Sequence, residues 1–363
     1  MSTRLCIVLG GHWEAQMGGA QYQAKCLLDA LAHESGFETY YLAQTVPANR
    51  KRGHYEIVQF GSPRPRARAL GSLPSLYSRL SELKPDVVYQ RCLMPYTGAC
   101  AFYAKRHDVR FVFHVASDDD VTPPRYPGGA RSLLQRTARG IGEYGMRNAN
   151  AIVVQTADQA RMLRQSYGLE AVAVVPNFQP PPDGPPPARD SRLLRVVWVG
   201  NIKPVKRADL FVDLAERFVT RADMQFVMIG RRGDEQRYGT LHQRMDRLRN
   251  LVYLGEQPIE RVNQEIAASD VLVCTSAYEG FPNTFIQAWL RGVPVVSTVD
   301  PDKCLSERGA GVFVRDGVDL ARVIAELSSD RARLGALAEA ARAYGFANHL
   351  PDKAQRLISL LRP

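Results

Sequence analysis

A short stretch near the middle of the chain restricts its fold more than any other feature. Gln179–Pro187 reads Gln-Pro-Pro-Pro-Asp-Gly-Pro-Pro-Pro, so six of its nine residues are prolines. Proline lacks the backbone N–H and fixes φ, which excludes this stretch from helix interiors and central strands and favours a stiff, extended connector. We therefore predict a first domain over 1–178, a linker over 179–191, a second domain over 192–345, and a C-terminal helix over 346–363 that could pack back on the first domain.

Short runs rich in valine and isoleucine alternate with amphipathic stretches on both sides of this linker. Leu5–Leu9 has the character of a buried first strand, and Leu194–Gly200 begins the pattern again. Such strand–helix alternation indicates parallel sheets with helices on both faces. The predicted fold class is α/β, with two Rossmann-like domains in tandem and a cleft between them, into which ligands would bind from the carboxyl ends of the strands.

The pattern assigns most of the chain to regular elements. The predicted strands are 4–10, 39–44, 55–60, 86–91, 111–116, 151–156 and 171–176 before the linker, and 194–200, 225–230, 252–254, 270–275, 294–298 and 311–314 after it. The predicted helices are 19–34, 73–83, 95–107, 131–148, 157–167, 206–219, 317–328, 330–344 and 352–361, with one more beginning near Asn283 and Thr284.

Composition excludes several classes of protein. With 45% hydrophobic and 23% charged residues, the chain can bury sizeable cores and is not a disordered sequence. Its six cysteines include no Cys-x-x-Cys pair, which argues against a cysteine metal site and favours buried, reduced thiols in a cytoplasmic protein. No apolar run approaches the roughly 18 residues of a membrane span, and the N-terminus does not resemble a signal peptide.

The net charge of +10 is unevenly distributed. Residues 1–178 contain 21 Lys and Arg against 14 Asp and Glu, and the remainder contains 26 against 23. A basic first half suits nucleic acid, a membrane surface or an anionic small molecule. The basic runs lack the interleaved aromatic residues that stack on bases. A nucleic-acid-binding protein, which would bind random duplex with a steep salt dependence, is therefore only the non-enzymatic alternative.

The first segment with chemical potential follows the first strand. Gly10–Ala20 contains Gly18 and Gly19 just before a predicted helix. Small residues there let backbone N–H groups approach an anion at the N-terminus of the helix.

The second such segment follows the strand after the linker. Gly200–Arg207 places Lys203, Lys206 and Arg207 where that strand gives way to a helix. Cations at this position can clamp a diphosphate.

The third segment is the most specific. Ser276–Val296 follows a buried strand and contains a tight Glu279-Gly280 loop, and Gln287 lies about one turn inside the helix that follows. A carboxylate and an amide suit sugar hydroxyls, and the backbone N–H groups of Gly280 and Phe281 suit phosphate oxygens. This set describes a sugar nucleotide better than NAD.

Taken in this order, the three segments resemble those of the glycosyltransferase family 4 enzymes, which have the two-domain GT-B fold. Gly18-Gly19-Ala20 resembles their N-terminal glycine loop, Gly200–Arg207 their Gly-Arg-x-x-x-x-Lys-Gly phosphate clamp, and Glu279–Gln287 their Glu-x7-Glu element. The resemblance spans nearly the whole chain. It implies a retaining hexosyltransferase that moves a sugar from a UDP- or GDP-sugar to a glycan or lipid-linked acceptor, in bacterial-type surface polysaccharide or glycolipid synthesis.

The resemblance also implies roles for individual residues. Glu279 would bind donor-sugar hydroxyls, Lys206 would hold the donor diphosphate, and His114 would lie beside the donor sugar, which makes these three the predicted catalytic residues. The predicted donor-binding residues are Gly18, Gly19, Asn201, Lys206, Arg207, Gly280, Phe281, Asn283, Thr284 and Gln287, with residue 287 on the ribose.

Three positions depart from the family pattern. Gln287 replaces the second glutamate, so ribose binding would use a neutral acceptor. Asn201 stands where an arginine is usual, which leaves one phosphate charge to be met by Lys203 or Arg207. Arg207 itself replaces a glycine.

Family resemblance implies front-side transfer, assisted by the leaving diphosphate, without a cofactor and without a required metal. A metal-dependent transferase is one alternative, because Asp118 and Asp120 form an Asp-x-Asp that can bind a divalent cation with a diphosphate. A sugar-nucleotide epimerase of similar tandem architecture is another, and it would turn over the donor without an acceptor.

The charge asymmetry adds an expectation about location. In the family resembled, the first domain takes the acceptor, which is often a glycolipid or a polyprenyl-diphosphate sugar. Arginines in the first half could meet anionic head groups, which predicts a cytoplasmic protein that binds the inner membrane face peripherally and is released by salt. The arginines in question are those of Arg50–Arg52 and Arg64–Arg68 and those at positions 125, 131, 136 and 139.

Overall fold

The computed structural model describes residues 2–50, 53–61, 70–124, 130–185, 187–189 and 192–363, with only the backbone for residues 130–132. The chain divides into two compact units. Unit 1 consists of Met1–Phe178 together with Pro351–Pro363, and unit 2 is Gln179–Leu350.

Unit 1 is built on a parallel sheet in the strand order β3-β2-β1-β4-β5-β6-β7. Residues 5–9 of the central strand are at most 1% exposed, because helices cover both faces of the sheet and leave no polar side to the strand. The strands are β1 (Thr3–Gly11), β2 (Phe37–Thr45), β3 (Tyr55–Gln59), β4 (Val87–Arg91), β5 (Arg110–His114), β6 (Ala151–Val154) and β7 (Ala173–Val174).

The helices of unit 1 include one closely packed pair. They are α1 (Gly19–Leu31), α2 (Leu73–Leu83), α3 (Pro95–His107), α4 (Asp118–Val121), α5 (Ala130–Arg147), α6 (Ala157–Tyr167) and α13 (Ala354–Leu360). A Cβ atom on Gly98 of α3 would lie 2.4 Å from the Ile141 carbonyl oxygen, and one on Gly145 of α5 would lie 2.4 Å from Thr97. Glycine at these two positions is what lets α3 and α5 approach so closely.

Unit 2 repeats the plan with a parallel sheet in the order β10-β9-β8-β11-β12-β13. Its strands are β8 (Leu194–Val199), β9 (Met224–Ile229), β10 (Leu251–Tyr253), β11 (Val271–Cys274), β12 (Val295–Ser297) and β13 (Gly311–Phe313). Its helices are α7 (Ala208–Arg217), α8 (Glu235–Arg247), α9 (Ile259–Ala267), α10 (Asn283–Trp289), α11 (Gly317–Ser329) and α12 (Arg331–Asn348). Trp198, Phe211 and Phe226 pack in the core on one face of the sheet, and Phe285 and Trp289 pack on the other.

The predicted strands and helices recur in the structure with shifts of a few residues at their ends. Two helices of unit 2, α8 and α9, were not predicted. The two-domain α/β architecture is confirmed, since each unit has its own parallel sheet and its own core. None of the described helices combines the length and the apolar character needed to cross a bilayer.

Both predicted boundary segments have definite attachments. Gln179 belongs to unit 2, where its backbone N–H donates to the His349 carbonyl oxygen at 2.9 Å, and the Arg189 guanidinium donates to three carbonyl oxygens of the same unit. Helix α12 continues through the predicted boundary at residue 345. Residues 351–363 belong to unit 1, where the Arg110 Nε donates to the Leu360 carbonyl oxygen at 2.8 Å.

Candidate active site

Loop 275–282 joins β11 to α10 in unit 2, and buried contacts hold both of its ends. Thr275 accepts a hydrogen bond from the Trp198 Nε1 at 3.0 Å and donates one to the Lys206 carbonyl oxygen at 2.7 Å. At the other end, Phe281 is only 6% exposed and packs edge-on against the indole ring of Trp289 in the core. The loop is therefore preorganised by the core of unit 2.

The loop and the turn after β8 meet at an ion pair. Lys206 ends a 3-10 turn at Pro204–Lys206, and its Nζ donates to the Glu279 Oε1 at 2.5 Å. The Ser276 hydroxyl donates to the same oxygen at 2.6 Å. The structure thus brings together two predicted site residues that stand 73 positions apart in the sequence.

The pair lies in a partly buried place. The side chains of Lys206 and Glu279 are 27% and 19% exposed. Burial lowers the pKa of Lys206, but the Glu279 carboxylate and Cys274 together raise it by more, so that the net pKa lies above that of an ordinary lysine. The lysine is therefore a cation throughout the physiological pH range.

Both members of the pair retain capacity for a ligand. An ammonium has three N–H donors, and an ionised carboxylate has about four acceptor positions. The two hydrogen bonds to Glu279 fall on Oε1, and within the described ranges Oε2 accepts none. One carboxylate oxygen and two ammonium hydrogens are thus available for a polar, anionic ligand.

Arg207 has the most unusual backbone of the site. Its φ of +42° lies in the left-handed region, where glycine is favoured, which accounts for the glycine in the family pattern. The guanidinium donates to the Thr275 carbonyl oxygen at 2.8 Å, to the Ser276 carbonyl oxygen at 3.2 Å and to the Thr298 hydroxyl at 2.8 Å. These contacts brace loop 275–282, so Arg207 would have to give some of them up to reach a phosphate.

Asn201 also has a structural partner. Its Oδ1 accepts a hydrogen bond from the Arg231 backbone N–H at 2.9 Å, which links the ends of β8 and β9. The two chain segments run very close here, since a Cβ atom on Gly230 would lie 2.0 Å from the Gly200 carbonyl oxygen. Lys203, two residues further along the chain, is exposed, and among the described residues no ion pair engages its charge.

Gln287 is buried in α10, at 3% exposure, and its Nε2 donates to the Asn263 Oδ1 of α9 at 2.9 Å. Gly280 is buried in the same loop, while Asn283 and Thr284 at the start of α10 are half-buried. The amide oxygen of Gln287 is the atom that would accept from a ribose hydroxyl.

The predicted glycine loop lies in unit 1. Gly18 is the N-cap of α1 and Gly19 its first residue. The φ of Gly18 is −160°, which any residue adopts, so backbone strain does not require glycine here. A Cβ atom there would lie 2.5 Å from the Gln21 Oε1, but that atom is the end of a flexible side chain that can turn away, so space does not require glycine either.

His114 ends β5 of unit 1 and is 1% exposed. Its Nδ1 lies 2.9 Å from the Tyr89 hydroxyl and 3.5 Å from an Arg91 nitrogen. A guanidinium only donates, so Nδ1 is an acceptor and Nε2 carries the ring proton. Burial lowers the pKa of His114 well below its usual range, and the Arg91 charge lowers it further. The residue is therefore a neutral imidazole at pH 7.

Asp118 and Asp120, the predicted metal-binding alternative, bind parts of their own unit. Asp120 accepts hydrogen bonds from the backbone N–H groups of Leu93 at 2.9 Å, Ala116 at 2.7 Å and Ser117 at 3.2 Å. The Asp118 Oδ1 accepts from the Gln159 Nε2 at 3.1 Å. In the described ranges, no group of three or more His, Cys, Asp or Glu side chains is arranged to hold a metal ion.

The structure describes only some of the arginines of the predicted basic surface. The arginines at 52, 64, 66, 68 and 125 and the side chain of Arg131 lie outside the described residues. Arg139 is engaged within unit 1, where its guanidinium donates to the Asp119 and Asp120 carbonyl oxygens, to the Tyr167 hydroxyl and to Glu143. Arg50 and Arg136 are exposed.

Two side chains that sequence reasoning missed contribute to the site. Ser276 hydrogen-bonds the Glu279 carboxylate, and a hydroxyl residue three positions before the glutamate was the only sequence signal for it. Asn263 pairs with Gln287 from α9, a helix that was not predicted, so no signal pointed to it.

Two family models match the chain in succession. Residues 17–179 match the model described as Glycosyltransferase Family 4, and residues 194–330 match the one described as Glycosyl transferases group 1. Among curated proteins, the chain is 33% identical over 119 residues to the lipopolysaccharide 1,6-galactosyltransferase of Salmonella typhimurium strain LT2. That match covers 31% of this chain and about a third, 32%, of the relative's length.

Solved structures match the whole chain at low identity. The crystal structure of Anabaena HepE in complex with UDP-glucose is 17% identical, with 98% of each chain covered and a TM-score of 0.75. WaaG, a glycosyltransferase involved in lipopolysaccharide biosynthesis, is 16% identical, with 98% of this chain and 99% of the other covered and a TM-score of 0.75. These similarities confirm the GT-B fold with its two Rossmann-like domains.

Proposed function

Because the chain belongs to the group 1 glycosyltransferases of family 4, we propose that it transfers a hexose from a UDP-sugar to a glycan or lipid-linked acceptor, with retention of configuration. The observation that carries the proposal is the Lys206–Glu279 pair, with Ser276 on the same carboxylate oxygen. A cation and a carboxylate side by side match the two ends of a sugar diphosphate.

The geometry of the pair suits the two parts of a donor. The open Oε2 of Glu279 accepts from sugar hydroxyls and orients the ring, and the remaining N–H groups of Lys206 donate to diphosphate oxygens. As the bond to the sugar breaks, negative charge develops on the diphosphate, and a preorganised cation stabilises that charge without reorganisation. The N–H groups at the start of α10, where Asn283 and Thr284 are half-buried, would act in the same sense.

The proposal of retention gives the carboxylate of Glu279 a binding role and leaves the attack on the anomeric carbon to the acceptor hydroxyl. Glu279 is held by Lys206 and Ser276, which orients it for hydroxyl recognition. The acceptor hydroxyl would then attack from the side of the leaving group and give its proton to the departing diphosphate. NMR of the product, from the anomeric proton coupling, tests this step, and an inverted product would contradict it.

Similarity to named proteins supports the finer part of the proposal. HepE was crystallised with UDP-glucose, and the Salmonella relative is named as a lipopolysaccharide galactosyltransferase. We extend both to this chain as a UDP-hexose donor and a lipopolysaccharide-type or other lipid-linked acceptor, reached from the cytoplasmic face of the membrane.

A donor screen tests the function directly. We expect UDP to raise the unfolding midpoint more than GDP does, because ligand binding to the native state stabilises it by mass action. UDP-glucose and UDP-galactose are then incubated with lipid acceptors, with and without excess chelator. Abolition by the chelator would favour the metal-dependent alternative, and turnover of the donor without an acceptor would favour an epimerase.

A further inference from the structure

A groove of about 570 Å³ lies between α2, α3 and α5 of unit 1, and no residue of the proposed donor site lines it. Its wall is made of aliphatic and aromatic groups and glycines, and Thr137 and two tyrosines supply the only side-chain hydroxyls. Of these, the Tyr77 hydroxyl is already paired with the His107 Nε2 at 3.1 Å. The groove therefore offers contacts to hydrocarbon and few to a polar ligand.

The apolar surface extends beyond the groove. Phe102 and Tyr144 line it and are 52% and 41% exposed. Leu133 and Leu134, on the turn of α5 before Thr137, are 68% and 61% exposed. Contiguous exposed apolar patches of this kind mark interaction sites.

Glycine keeps the groove open. Gly140 lines it, and a Cβ atom added there would meet nothing within 4 Å. The neighbouring glycines on this helix pair behave differently, since Gly98 and Gly145 are required by close packing. Gly140 is thus the position where an added side chain would occupy the groove itself.

The charge around the groove is positive. Helices α2, α3 and α5 carry seven Lys and Arg against two Glu. Both glutamates are paired with an arginine of their own helix, Glu82 with Arg79 at 2.7 Å and Glu143 with Arg139 at 2.8 Å. The acidic side chains of these helices are thereby neutralised.

Exposed cations share the face of the groove. Lys105 and Arg106 follow Phe102 by three and four positions, which places them on its side of α3, and Arg136 precedes the lining residue Gly140 of α5 by four positions. All three are exposed. An apolar channel bordered by cations is complementary to a hydrocarbon chain that carries an anionic head group.

We propose that this groove binds a hydrocarbon chain of an anionic membrane lipid, with Lys105, Arg106 and Arg136 meeting the charge of its head group. The inference deepens the proposed function and rests on it in one respect, since a lipid-linked acceptor requires the enzyme at the bilayer. In this proposal, the groove is the surface of unit 1 that holds the enzyme at the bilayer.

Vesicle flotation tests the surface. Purified protein is mixed with phosphatidylglycerol or phosphatidylcholine vesicles at 0.1 M salt. We expect binding to phosphatidylglycerol only, and at least a tenfold loss of it in Phe102→Ser and Leu133→Ser, both exposed positions. Matched controls on unit 2 are Phe313→Ser and Val318→Ser, at 42% and 64% exposure, which should bind within twofold of the unaltered protein. Equal losses in the two sets would overturn the proposal.

The Gly140→Leu variant distinguishes binding of a lipid chain inside the groove from nonspecific adsorption through exposed apolar surface. It adds apolar surface, so adsorption through an apolar face would become stronger. Filling the groove would instead weaken phosphatidylglycerol binding, and we expect a loss of fivefold or more, with an unfolding midpoint no lower than that of the unaltered protein because leucine favours helix over glycine. Tighter binding by this variant would overturn the proposal.

Two further measurements complete the test. Light scattering of the lipid-free protein detects self-association, and a dimer that Phe102→Ser converts to monomer would show that the groove is an interface between copies and overturn the lipid assignment. Sugar transfer to a detergent-dispersed acceptor is measured in parallel. If the protein binds vesicles through this surface but transfers no sugar, the proposed function fails and the lipid-binding surface stands. If sugar is transferred but no variant alters vesicle binding, the lipid-binding surface fails and the proposed function stands.

Discussion

The loop after β11 in unit 2 and the loop after β5 in unit 1 both lie at the carboxyl edge of a parallel sheet. Each leaves the carboxyl end of an interior parallel strand and leads into a helix. The first loop carries the carboxylate of Glu279, and the first turn of the helix after the second loop, α4, carries that of Asp120. Asp120 accepts hydrogen bonds from three backbone N–H groups, whereas Glu279, among the residues that the structure describes, accepts them only from the side chains of Lys206 and Ser276.

This difference separates a structural carboxylate from one that can bind a ligand. Backbone donors are fixed by the fold and cannot turn away, so the carboxylate of Asp120 is committed to them. Side-chain donors can rotate, so Lys206 can leave Glu279 for a diphosphate at little cost to the fold. Position at the edge of a sheet is therefore not sufficient to predict a ligand site; the origin of the hydrogen-bond donors decides.

The largest expected effect is on activity. Glu279→Ala should lower kcat by about 100-fold or more, because removing one preorganised polar contact to a reacting group typically costs about 10²–10³ in rate. The loss should fall on kcat rather than on KM, since orientation of the sugar matters most in the transition state. Steady-state kinetics with the cognate UDP-sugar measure it.

A matched control accompanies this variant. Glu256→Ala removes an exposed carboxylate of the same unit, which is paired with Arg231 at 3.0 Å, and should leave kcat within twofold. A folded Glu279→Ala protein with nearly unaltered turnover would refute the assignment of the donor site.

The equivalent change in unit 1 should act on stability instead. Asp120→Ala leaves three backbone N–H groups without their acceptor, and we expect the free energy of unfolding to fall by about 2–3 kcal/mol, since buried unsatisfied donors cost about 1–3 kcal/mol each before water compensates. Urea denaturation measures the loss. UDP affinity of the folded fraction should be unaltered, and loss of that affinity without loss of stability would restore Asp120 as a ligand residue.

A smaller effect distinguishes the neutral histidine of unit 1 from the charged lysine of unit 2. The pKa of His114 is depressed in the folded protein, so the unfolded state takes up a proton first as pH falls below about 6.5. The stability that neutral His114 provides is complete above that pH and is lost as pH falls toward the folded pKa.

We therefore expect the unaltered protein to lose about 1 kcal/mol more unfolding free energy between pH 7 and 5.5 than His114→Gln does. Urea titrations at the two pH values measure the difference. The pKa of Lys206 is raised, so its contribution is lost only as pH rises above about 10.5 and cannot account for a difference in the acidic range. Identical pH dependence in the two proteins would contradict a buried neutral His114.

The smallest expected effect is at the predicted ribose position. Gln287→Glu should fold normally, because the Asn263 amide can rotate and donate its N–H₂ to the new carboxylate. A charged acceptor strengthens a hydrogen bond by roughly 1 kcal/mol, so UDP should bind up to about fivefold more tightly by titration calorimetry. Combining Gln287→Glu with Asn263→Asp places two carboxylates together and should destabilise the protein. Weaker UDP binding by the single variant Gln287→Glu would refute the assignment of residue 287 to the ribose.

Sequence pattern predicted the elements with strong apolar runs and missed those without them. Residues 5–9 of β1 and all of β11 are buried, so their apolar residues form continuous runs. Helix α8 buries only Leu241, His242 and Met245, and an apolar stripe this thin is not distinguishable from a polar loop. Helix α9 is nine residues long and begins after a proline, which leaves too few turns for a periodic signal.

For the site as well, local sequence patterns predicted some features and missed others. Lys206 and Glu279 were identified from residue types at the ends of strands, and the parallel sheet brings such ends to one edge. Their direct contact could not be predicted, because it depends on the register of β8 against β11. The bracing role of Arg207 was hidden for a similar reason, since its contacts are with residues 68 to 91 positions away.

By itself, the sequence determined the two-domain α/β architecture and the family to which the chain belongs, because burial periodicity and local motif chemistry are properties of short segments. Only the tertiary structure decided that Asp120 is held by its own backbone, that His114 is neutral, and that α2, α3 and α5 enclose an apolar groove. Each of these depends on which distant atoms lie within hydrogen-bonding or packing distance, and the Leu93 N–H that binds Asp120 is 27 residues away. Chain folding sets such distances, and no local pattern encodes them.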